Sequence, residues 1–241
     1  MNNIRHYRSI CQYKYRLDCS ILICYVIFVK TVQNRLYQAA LRLFAERGVT
    51  QVTVSDLAEA AGVARGTVYS NFGTLESLFE DAATRLTAEM EMRIAAGFGQ
   101  TTDPAQRLAN GIRFFVRRAH DDPPWGRFLV RFGATTPTLR GLLEGAPTSD
   151  LKLGVELGRF HLRADQVTSA IAMMSGSVLG AIWLVLEGQQ TWRDAGADTA
   201  ELVLRALGVP TDVARRLATS ELPPLPEAGR LITHHEKGVK T

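Results

Sequence analysis

The amino-acid sequence predicts an all-α protein, with a small N-terminal domain of three helices followed by a larger helical domain. Three observations lead to this prediction. From Val32 onward, apolar residues recur at spacings of three and four residues, as in amphipathic helices. Residues that cap helices stand where these patterns begin and end. Residues 166–186 form a long apolar stretch without a formal charge.

Composition is ordinary for a globular protein with a sizeable core, since 46% of the 241 residues are hydrophobic and 22% are charged. The formal net charge is +4. Residues 1–30 contain five basic side chains and one acidic side chain, so the rest of the chain carries equal numbers of both. The basic balance therefore gives no argument for nucleic-acid binding.

Residues 1–30 differ from the rest of the chain and are predicted to be an atypical extension. They contain all three cysteines and no Ala, Gly, Pro or Glu. We interpret them as an over-extended translation start or a disordered arm. A membrane-tethering role is the alternative, because residues 21–29 are apolar, although this run is too short to span a bilayer.

The N-terminal domain is predicted to span residues 31–78. Its first helix ends at Gly48. The second begins at Thr53, whose side chain is placed to accept a hydrogen bond from the amide of Asp56, as in a capping box. Gly62 forms the turn to a third helix over about residues 64–71. The first helix is expected to bury Leu36, Ala39, Ala40, Leu43 and Phe44.

Two short helices joined by a glycine-containing turn are typical of a helix-turn-helix. Gly66 and Thr67 leave little bulk at the start of the last helix, so its N-terminus could approach a phosphate backbone. A plain helical hairpin with a polar outer face explains the same pattern, because the motif alone is weak. The outward side chains that could contact phosphates and base edges are Arg65, Thr67, Tyr69, Ser70 and Asn71.

Residues 36–79 resemble the DNA-binding domain of the TetR family of bacterial transcriptional regulators. The resemblance rests on Ala-Ala-x-x-Leu-Phe at residues 39–44, Ala-Gly-Val at residues 61–63 and Gly-Thr-Val-Tyr-x-x-Phe at residues 66–72. It implies a dimeric regulator whose third helix docks in the major groove of a palindromic operator on double-stranded DNA. It also implies, together with the outward face, DNA contacts by Thr53, Arg65, Gly66, Thr67, Tyr69, Ser70 and Asn71.

Two positions depart from the family pattern. The family usually caps the third helix with Ser, where this chain has Ala64, so the cap is lost or moved. The family usually places a phosphate-contacting Lys at the start of the fourth helix, where this chain has Leu75. Fewer cationic contacts predict weaker DNA binding per subunit, with a smaller dependence on salt.

The larger domain is predicted to span residues 79–219 and to bind an effector and a second subunit. Its first helix runs from near Thr74 to Gly97, and the next is capped by Asp103 with Pro104 in the first turn. Two separate helices are predicted over residues 136–144 and 149–157, and a late helix over residues 166–186. Residues 220–241 are predicted to be a disordered tail.

The late apolar helix is long enough for a membrane span, but its Ser, Thr and Gln residues and flanking carboxylates argue against one. In the family this helix packs on its own core and on a partner subunit. Glycines four residues apart allow a close helix crossing, either within the chain or, as we prefer, between subunits. The predicted interface residues are Gly176, Gly180, Leu184 and Leu202.

The resemblance further implies an apolar pocket in the larger domain for a small-molecule effector, which would move the fourth helix and release DNA as a repressor does. Aromatic and Met side chains are the candidate lining, although such residues more often form core. The candidates are Met90, Phe114, Phe115, Trp125, Phe128, Phe132, Met173, Met174 and Trp183.

No catalytic or metal-binding constellation stands out, since the five histidines are scattered and neither a phosphate loop nor a nucleophile elbow occurs. We therefore expect no enzymatic activity, no cofactor, no metal and no membrane, and a cytoplasmic location. A helix-turn-helix DNA-binding protein without an effector remains an alternative, as does an enzyme.

Overall fold

The computed structural model describes residues 19–225, with side chains from Thr31 onward. Across this part of the chain the secondary structure consists of ten α-helices and two short 3-10 turns, without a strand, which confirms the predicted all-α class. The chain divides into two compact units, Met1–Phe79 and Glu80–Thr241. The predicted extension 1–30 and tail 220–241 lie partly outside the described residues.

The first unit contains α1 (Cys19–Arg47), α2 (Val54–Ala61) and α3 (Arg65–Phe72), with a 3-10 turn at Val49–Gln51 between α1 and α2. α1 begins well before Val32, so its first turns belong to the segment predicted to be an atypical extension. Phe44 packs its ring edge-on against Phe79, with 5.7 Å between the centroids. The apolar face predicted for this helix is buried at Leu36, Ala39, Ala40, Leu43 and Phe44.

The start of α2 is fixed by the predicted capping box. Thr53 Oγ1 accepts a hydrogen bond from the Asp56 amide at 3.1 Å, and Asp56 Oδ2 accepts one from the Thr53 amide at 2.8 Å. Both hydrogen bonds satisfy backbone N–H groups that have no partner within the helix. Local sequence is therefore sufficient to place this helix end.

The turn after α2 depends on a residue from another helix. Gly62 has a φ of 60° in the left-handed region, which glycine adopts without steric cost. Arg35 of α1 donates through Nε to the Ala61 carbonyl oxygen at 2.8 Å, and through Nη2 to the carbonyl oxygens of Ala61 and Gly62. The last carbonyls of a helix lack intrahelical partners. Arg35 therefore stabilises the turn that leads into α3.

The second unit is built around one central helix. Its elements are α4 (Leu75–Phe98), which begins in the first unit, α5 (Pro104–Asp121), α6 (Pro123–Phe132), α7 (Pro137–Glu156), α8 (Val167–Leu186), α9 (Trp192–Ala206) and α10 (Thr211–Thr219). α5 packs against α6, α7, α8, α9 and α10. As predicted, Asp103 caps α5 by accepting from the Ala105 amide at 3.1 Å, with Pro104 in the first turn.

The predicted interruption between residues 144 and 149 is wrong, because α7 is one helix with Pro147 inside it. Proline has no N–H to donate, so the carbonyl of Leu143, four residues earlier, loses its usual partner. Ser175 of α8 replaces that partner, since its hydroxyl donates to the Leu143 oxygen in a long hydrogen bond of 3.4 Å. A contact from a distant helix therefore supports the continuous α7.

The first residues of the predicted tail pack on α5. Arg113 Nη2 donates to the Ser220 carbonyl oxygen at 2.8 Å, and Gln106 Nε2 donates to Ser220 Oγ at 3.1 Å. Leu225 is buried. Residues 226–241 lie outside the described part of the chain, where the prediction of disorder stays a prediction.

Candidate DNA-binding surface and ligand cavity

α3 presents a polar face to solvent and an apolar face to the core. Tyr69 is 59% exposed, and Arg65, Gly66 and Ser70 are exposed as well, while Val68 is buried. The exposed side chains of Arg65, Tyr69 and Ser70 are therefore available to a nucleic acid. The remaining predicted contacts on this helix, Thr67 and Asn71, are half-buried.

The N-terminus of α3 is open. Among the described residues no side chain caps it, since Ala64 occupies the capping position. A Cβ atom added at Gly66 would meet no heavy atom within 4 Å. First-turn amides without a cap are a natural site for a phosphate group. The loss of the family's Ser cap therefore leaves this helix end accessible rather than covered.

Two polar side chains at the other end of α3 bond to their own helix. Asn71 Nδ2 donates to the Thr67 carbonyl oxygen at 2.7 Å, and Ser70 Oγ donates to the same oxygen at 3.1 Å. The bond uses one N–H of the Asn71 amide, which leaves its amide oxygen and its second N–H available to an outside partner.

Thr53 has a structural role in addition to any contact with DNA. Its hydroxyl donates to Asp56 Oδ2 at 2.6 Å while its oxygen caps α2. The hydrogen bonds that the Thr53 hydroxyl and the Thr53 amide donate to this carboxylate, with a smaller contribution from Arg47, hold the pKa of Asp56 below its usual value. The carboxylate therefore stays ionised and keeps the cap in place at neutral pH.

Sequence reasoning missed Arg35, which joins α1 to the turn between α2 and α3. Gly62 signals a helix end that needs a partner for its last carbonyls. No spacing rule identifies which cation supplies it, because Arg35 stands 26 residues before Ala61.

The second unit contains a cavity of about 240 Å³ between α4, α5, α7 and α8. Its walls are mainly apolar, and its polar groups come from Glu91, Arg107, Asp150 and Ser175. A partly enclosed apolar cavity with few polar groups is typical of small-molecule binding sites. The apolar walls include Ile94, Phe98, Leu108, Ile112, Phe115, Leu142, Leu143, Met174 and Val178.

An ion pair forms the polar part of this wall. Arg107 Nε donates to Asp150 Oδ1 at 2.7 Å, and the Arg107 guanidinium lies over the Phe98 ring, 4.3 Å from its centroid. Asp150 is only 5% exposed. Burial raises the pKa of its carboxyl, against the smaller opposing effect of Arg107.

The cavity brings together two of the nine predicted pocket residues, Phe115 and Met174. The other seven do not line it. Of these, Met90, Phe114, Trp125 and Phe128 are fully buried, while Met173 and Trp183 are exposed on α8 and Phe132 ends α6. Large aromatic side chains fill the helix contacts completely. The cavity is lined by aliphatic and polar side chains as well as by Phe98 and Phe115, so a prediction based on aromatic and Met side chains includes only part of its wall.

α8 exposes an apolar face in the described chain. A Cβ added at Gly176 or at Gly180 would meet no heavy atom within 4 Å, so neither glycine supports a close contact within the subunit. Trp183 on the same helix is 47% exposed, and Leu202 on α9 is 61% exposed. Leu184, the fourth predicted interface residue, is half-buried.

The stretch Ala164–Leu186 is also the one segment of the described chain that is long and apolar enough for a membrane span, with a mean hydropathy of 1.9. A single helix of this kind is weak evidence for a membrane protein, because helices that pack in protein interfaces have the same composition. An exposed apolar face of this kind is typical of a surface that contacts another molecule.

Comparison with known proteins identifies both units. Residues 36–82 match the family model for bacterial regulatory proteins of the tetR family, and residues 103–220 match a tetracyclin repressor-like C-terminal domain. The chain is 30% identical over 140 residues to the HTH-type transcriptional repressor Rv3405c of Mycobacterium tuberculosis, a match that covers 56% of this chain and 70% of that protein.

A second relative is the uncharacterized HTH-type transcriptional regulator Rv1255c of Mycobacterium tuberculosis, 30% identical over 112 residues. That match covers 46% of this chain and 54% of the relative, so the chain spans about half the length of this protein.

Solved structures show the same fold. A structure of RolR in complex with the ligand resorcinol has a TM-score of 0.62 and 29% identity, covering 83% of this chain and all of that one. A gamma-butyrolactone receptor has a TM-score of 0.65 at 21% identity, covering 86% of this chain and 98% of that one, and so shows a likeness of fold alone.

Proposed function

Since the chain belongs to the TetR family of bacterial transcriptional regulators, we propose that it is a repressor that binds a palindromic operator as a homodimer and leaves it when a small, largely apolar effector occupies the cavity. The chain is a transcriptional regulator and not an enzyme, because both family models and the relatives are regulators. We propose a cytoplasmic location for it.

The exposed face of α3 carries the DNA-binding part of the proposal. Arg65 is exposed at the end of α3 that has no cap, and Tyr69 is exposed one helical turn further along. In helix-turn-helix proteins the second helix of the motif enters the major groove, with side chains near its N-terminus on the base edges. Phosphate contacts by first-turn amides and by Tyr69 would position the helix, and Arg65 would read a base or a phosphate.

The apolar face of α8 supports the homodimer. Gly176 and Gly180 have open space in front of them, and Trp183 is half-exposed beside them. A second copy of the same helix would fill this space, because a two-fold interface brings the same surface of both subunits together. Two subunits then present two α3 helices to half-sites about one helical turn apart, or a multiple of that.

The cavity supports a ligand-responsive regulator over a DNA-binding protein without an effector. It is partly enclosed and mainly apolar, with a few polar groups from Glu91, Arg107, Asp150 and Ser175, as in small-molecule binding sites. RolR, which shares the fold, has been solved with resorcinol bound, a ligand of a size that suits this cavity. α4 supplies Ile94 and Phe98 to the wall and begins in the DNA-binding unit, so a ligand that moves α4 would act on the operator complex.

Selection of bound duplexes from a random DNA pool, with the full-length protein, tests the proposal. We expect enrichment of an inverted repeat, and a complex whose mass corresponds to an even number of subunits. Enrichment of single half-sites by a monomer would contradict the dimer, and the absence of any enriched sequence would contradict operator binding. Release of the selected duplex by small aromatic compounds would distinguish the ligand-responsive regulator from one without an effector.

A further inference from the structure

We propose that a second site in the larger unit, a groove beside α5, binds the carboxylate or phosphate group of a small anionic molecule. The groove lies between α5, the first turns of α9 and the chain at the end of α10, and its volume is about 500 Å³. Three arginines line it, Arg113, Arg117 and Arg193. It shares no lining residue with the apolar cavity, so the inference does not depend on the effector role of that cavity.

Arg113 is a half-buried cation without a carboxylate partner. Its Nη2 donates to the Ser220 carbonyl oxygen at 2.8 Å, which is a neutral acceptor. Among residues 31–225 no ion pair includes Arg113, and its buried Nη1 has no hydrogen-bond partner. Burial lowers the pKa of this guanidinium below its usual value, because the charged form loses water. An anion in the groove would compensate this charge.

Trp192 restrains the two other guanidinium groups of the groove. The guanidinium carbon of Arg193 lies 4.4 Å from the centroid of the Trp192 ring, and that of Arg117 lies 5.4 Å from it. Such cation–π contacts order long side chains before a ligand arrives, which reduces the entropy lost on binding. An arginine in such a contact keeps N–H groups that can donate to an oxygen.

Two carboxylates on the wall leave these arginines unneutralised. Asp194 Oδ2 accepts a hydrogen bond from the Thr191 hydroxyl at 2.7 Å, as part of the cap of α9, and Glu221 is exposed. In the described chain neither carboxylate lies within 4.0 Å of a groove arginine, and only Arg117 has an ion pair, with Asp121 at 3.7 Å. Three arginines and two carboxylates leave a net charge of +1, which favours one anionic group.

The donors of the groove define the chemistry of the ligand. The hydroxyl protons of Thr219 and Ser220 are directed to backbone carbonyl oxygens one turn earlier, at 2.9 Å in each case. Donation to a ligand therefore comes mainly from the guanidinium groups. Their planar N–H groups match the paired oxygens of a carboxylate or a phosphate. The volume of the groove leaves room for an organic group attached to that anion.

Two-dimensional NMR of the full-length protein, labelled with ¹⁵N, tests the inference through the indole N–H signal of Trp192. Trp125 and Trp183 do not line the groove, so their signals are internal references, and Trp192→Phe assigns the signal that responds. The probes are acetate, inorganic phosphate and acetamide, which has the shape of acetate without its charge. Sodium chloride at equal ionic strength controls for screening.

We expect acetate and phosphate to shift the Trp192 signal in a saturable way. The Kd should be about 1 mM or lower, the affinity that about two hydrogen bonds to a charged group provide. Acetamide and sodium chloride should not produce this shift. Tighter binding of phosphate than of acetate would assign the groove to phosphorylated ligands, and the reverse order would assign it to carboxylates.

Three variants locate the effect. Arg113→Gln removes the uncompensated charge but keeps an N–H group for the Ser220 carbonyl oxygen, and it should raise the Kd about tenfold or more. Arg193→Gln, at an exposed position, should also raise the Kd and decides the matter if Arg113→Gln fails to fold. Arg140→Gln is the matched control, since Arg140 is exposed on α7 and does not line the groove. It should leave the Kd unchanged.

Several results would overturn the inference. They are a shift of the Trp192 signal that does not saturate, an equal shift with acetamide or with sodium chloride, and a Kd that is unchanged in the folded groove variants. A rise of the same size in Arg140→Gln would mean that the anions respond to the net charge of the protein rather than to the groove. Because no DNA is present in these titrations, none of these results bears on operator binding.

Discussion

Replacing Gly176 and Gly180 together by leucine should separate the proposed dimer without unfolding the subunit. An added Cβ at either position meets no heavy atom within 4 Å, so each leucine side chain begins in open space. Glycine in a helix interior is less favourable than alanine or leucine by about 0.8–1 kcal/mol. The isolated subunit should therefore keep its stability or gain up to about 2 kcal/mol from the two changes.

The interface should respond in the opposite direction. Overpacking of a well-packed contact costs about 1–3 kcal/mol per site. Two sites, even when counted on one subunit only, cost at least about 2 kcal/mol, which raises the Kd of dimerisation about thirtyfold. Sedimentation velocity over a range of concentrations measures this Kd, and thermal unfolding followed by circular dichroism measures the stability of the subunit.

α7 provides a matched control with the same spacing. Gly141 and Gly145 are also four residues apart, exposed, and open to an added Cβ. Their replacement by leucine should give the same gain in helix propensity and leave the dimer intact. A Gly176→Leu/Gly180→Leu protein that stays dimeric with an unchanged Kd, or loss of the dimer in both double variants, would refute the assignment of the interface to this face of α8.

Three further predictions concern other parts of the chain. Tyr69→Phe should weaken binding to every duplex about equally, by about 0.5–1.5 kcal/mol, and losses that depend on the DNA sequence would contradict a phosphate contact. Leu75→Lys should tighten binding and steepen the slope of log K against log salt concentration by about one. Fluorescence anisotropy at several salt concentrations measures both effects. Arg35→Gln should lower the free energy of unfolding of the first unit by about 1.5–3 kcal/mol, because it loses charged hydrogen bonds to the turn. Arg42→Gln, at an exposed position of α1, is the control and should leave this free energy unchanged. Equal losses in the two variants, measured by urea unfolding, would refute the role of Arg35. Burial raises the native pKa of Asp150 above its unfolded value, so the native state binds more protons at pH values between the two. The free energy of unfolding of the wild type, relative to Asp150→Asn, should therefore fall as pH rises through that range. An increase in this free energy over the same range, measured by urea unfolding, would contradict the raised pKa.

Local signals in the sequence were sufficient for helix ends and for faces that follow a period. Thr53 and Asp56 form the capping box from residues three apart, and Asp103 and Pro104 start α5 as their order predicts. Features that join distant residues could not be predicted in this way. Pro147 interrupts a helix by local rules and is tolerated because Ser175, on another helix, bonds the carbonyl that it frees.

The candidate sites show the same division. The outward face of α3 follows from the helical period, so the exposure of Tyr69 and Arg65 was predictable. The cavity was not, because its polar wall joins Arg107 and Asp150, which stand 43 residues apart. No spacing rule links two charged residues this far apart, so neither stands out in the sequence. The predicted lining consists of large apolar residues, and one of them, Phe114, is completely enclosed by the core.

The contact between Arg35 and Gly62 has a consequence for how the chain tolerates change. A Cβ added at Gly62 would lie 2.6 Å from Arg35 Nη2, so any other residue at position 62 displaces the guanidinium as well as straining the turn. Conversely, replacing Arg35 frees this space, but the φ of 60° at position 62 still favours glycine. A substitution at position 62 should therefore cost the strain of the turn and, in addition, the hydrogen bonds that Arg35 donates to the carbonyl oxygens of Ala61 and Gly62, whereas a substitution of Arg35 should cost those hydrogen bonds alone.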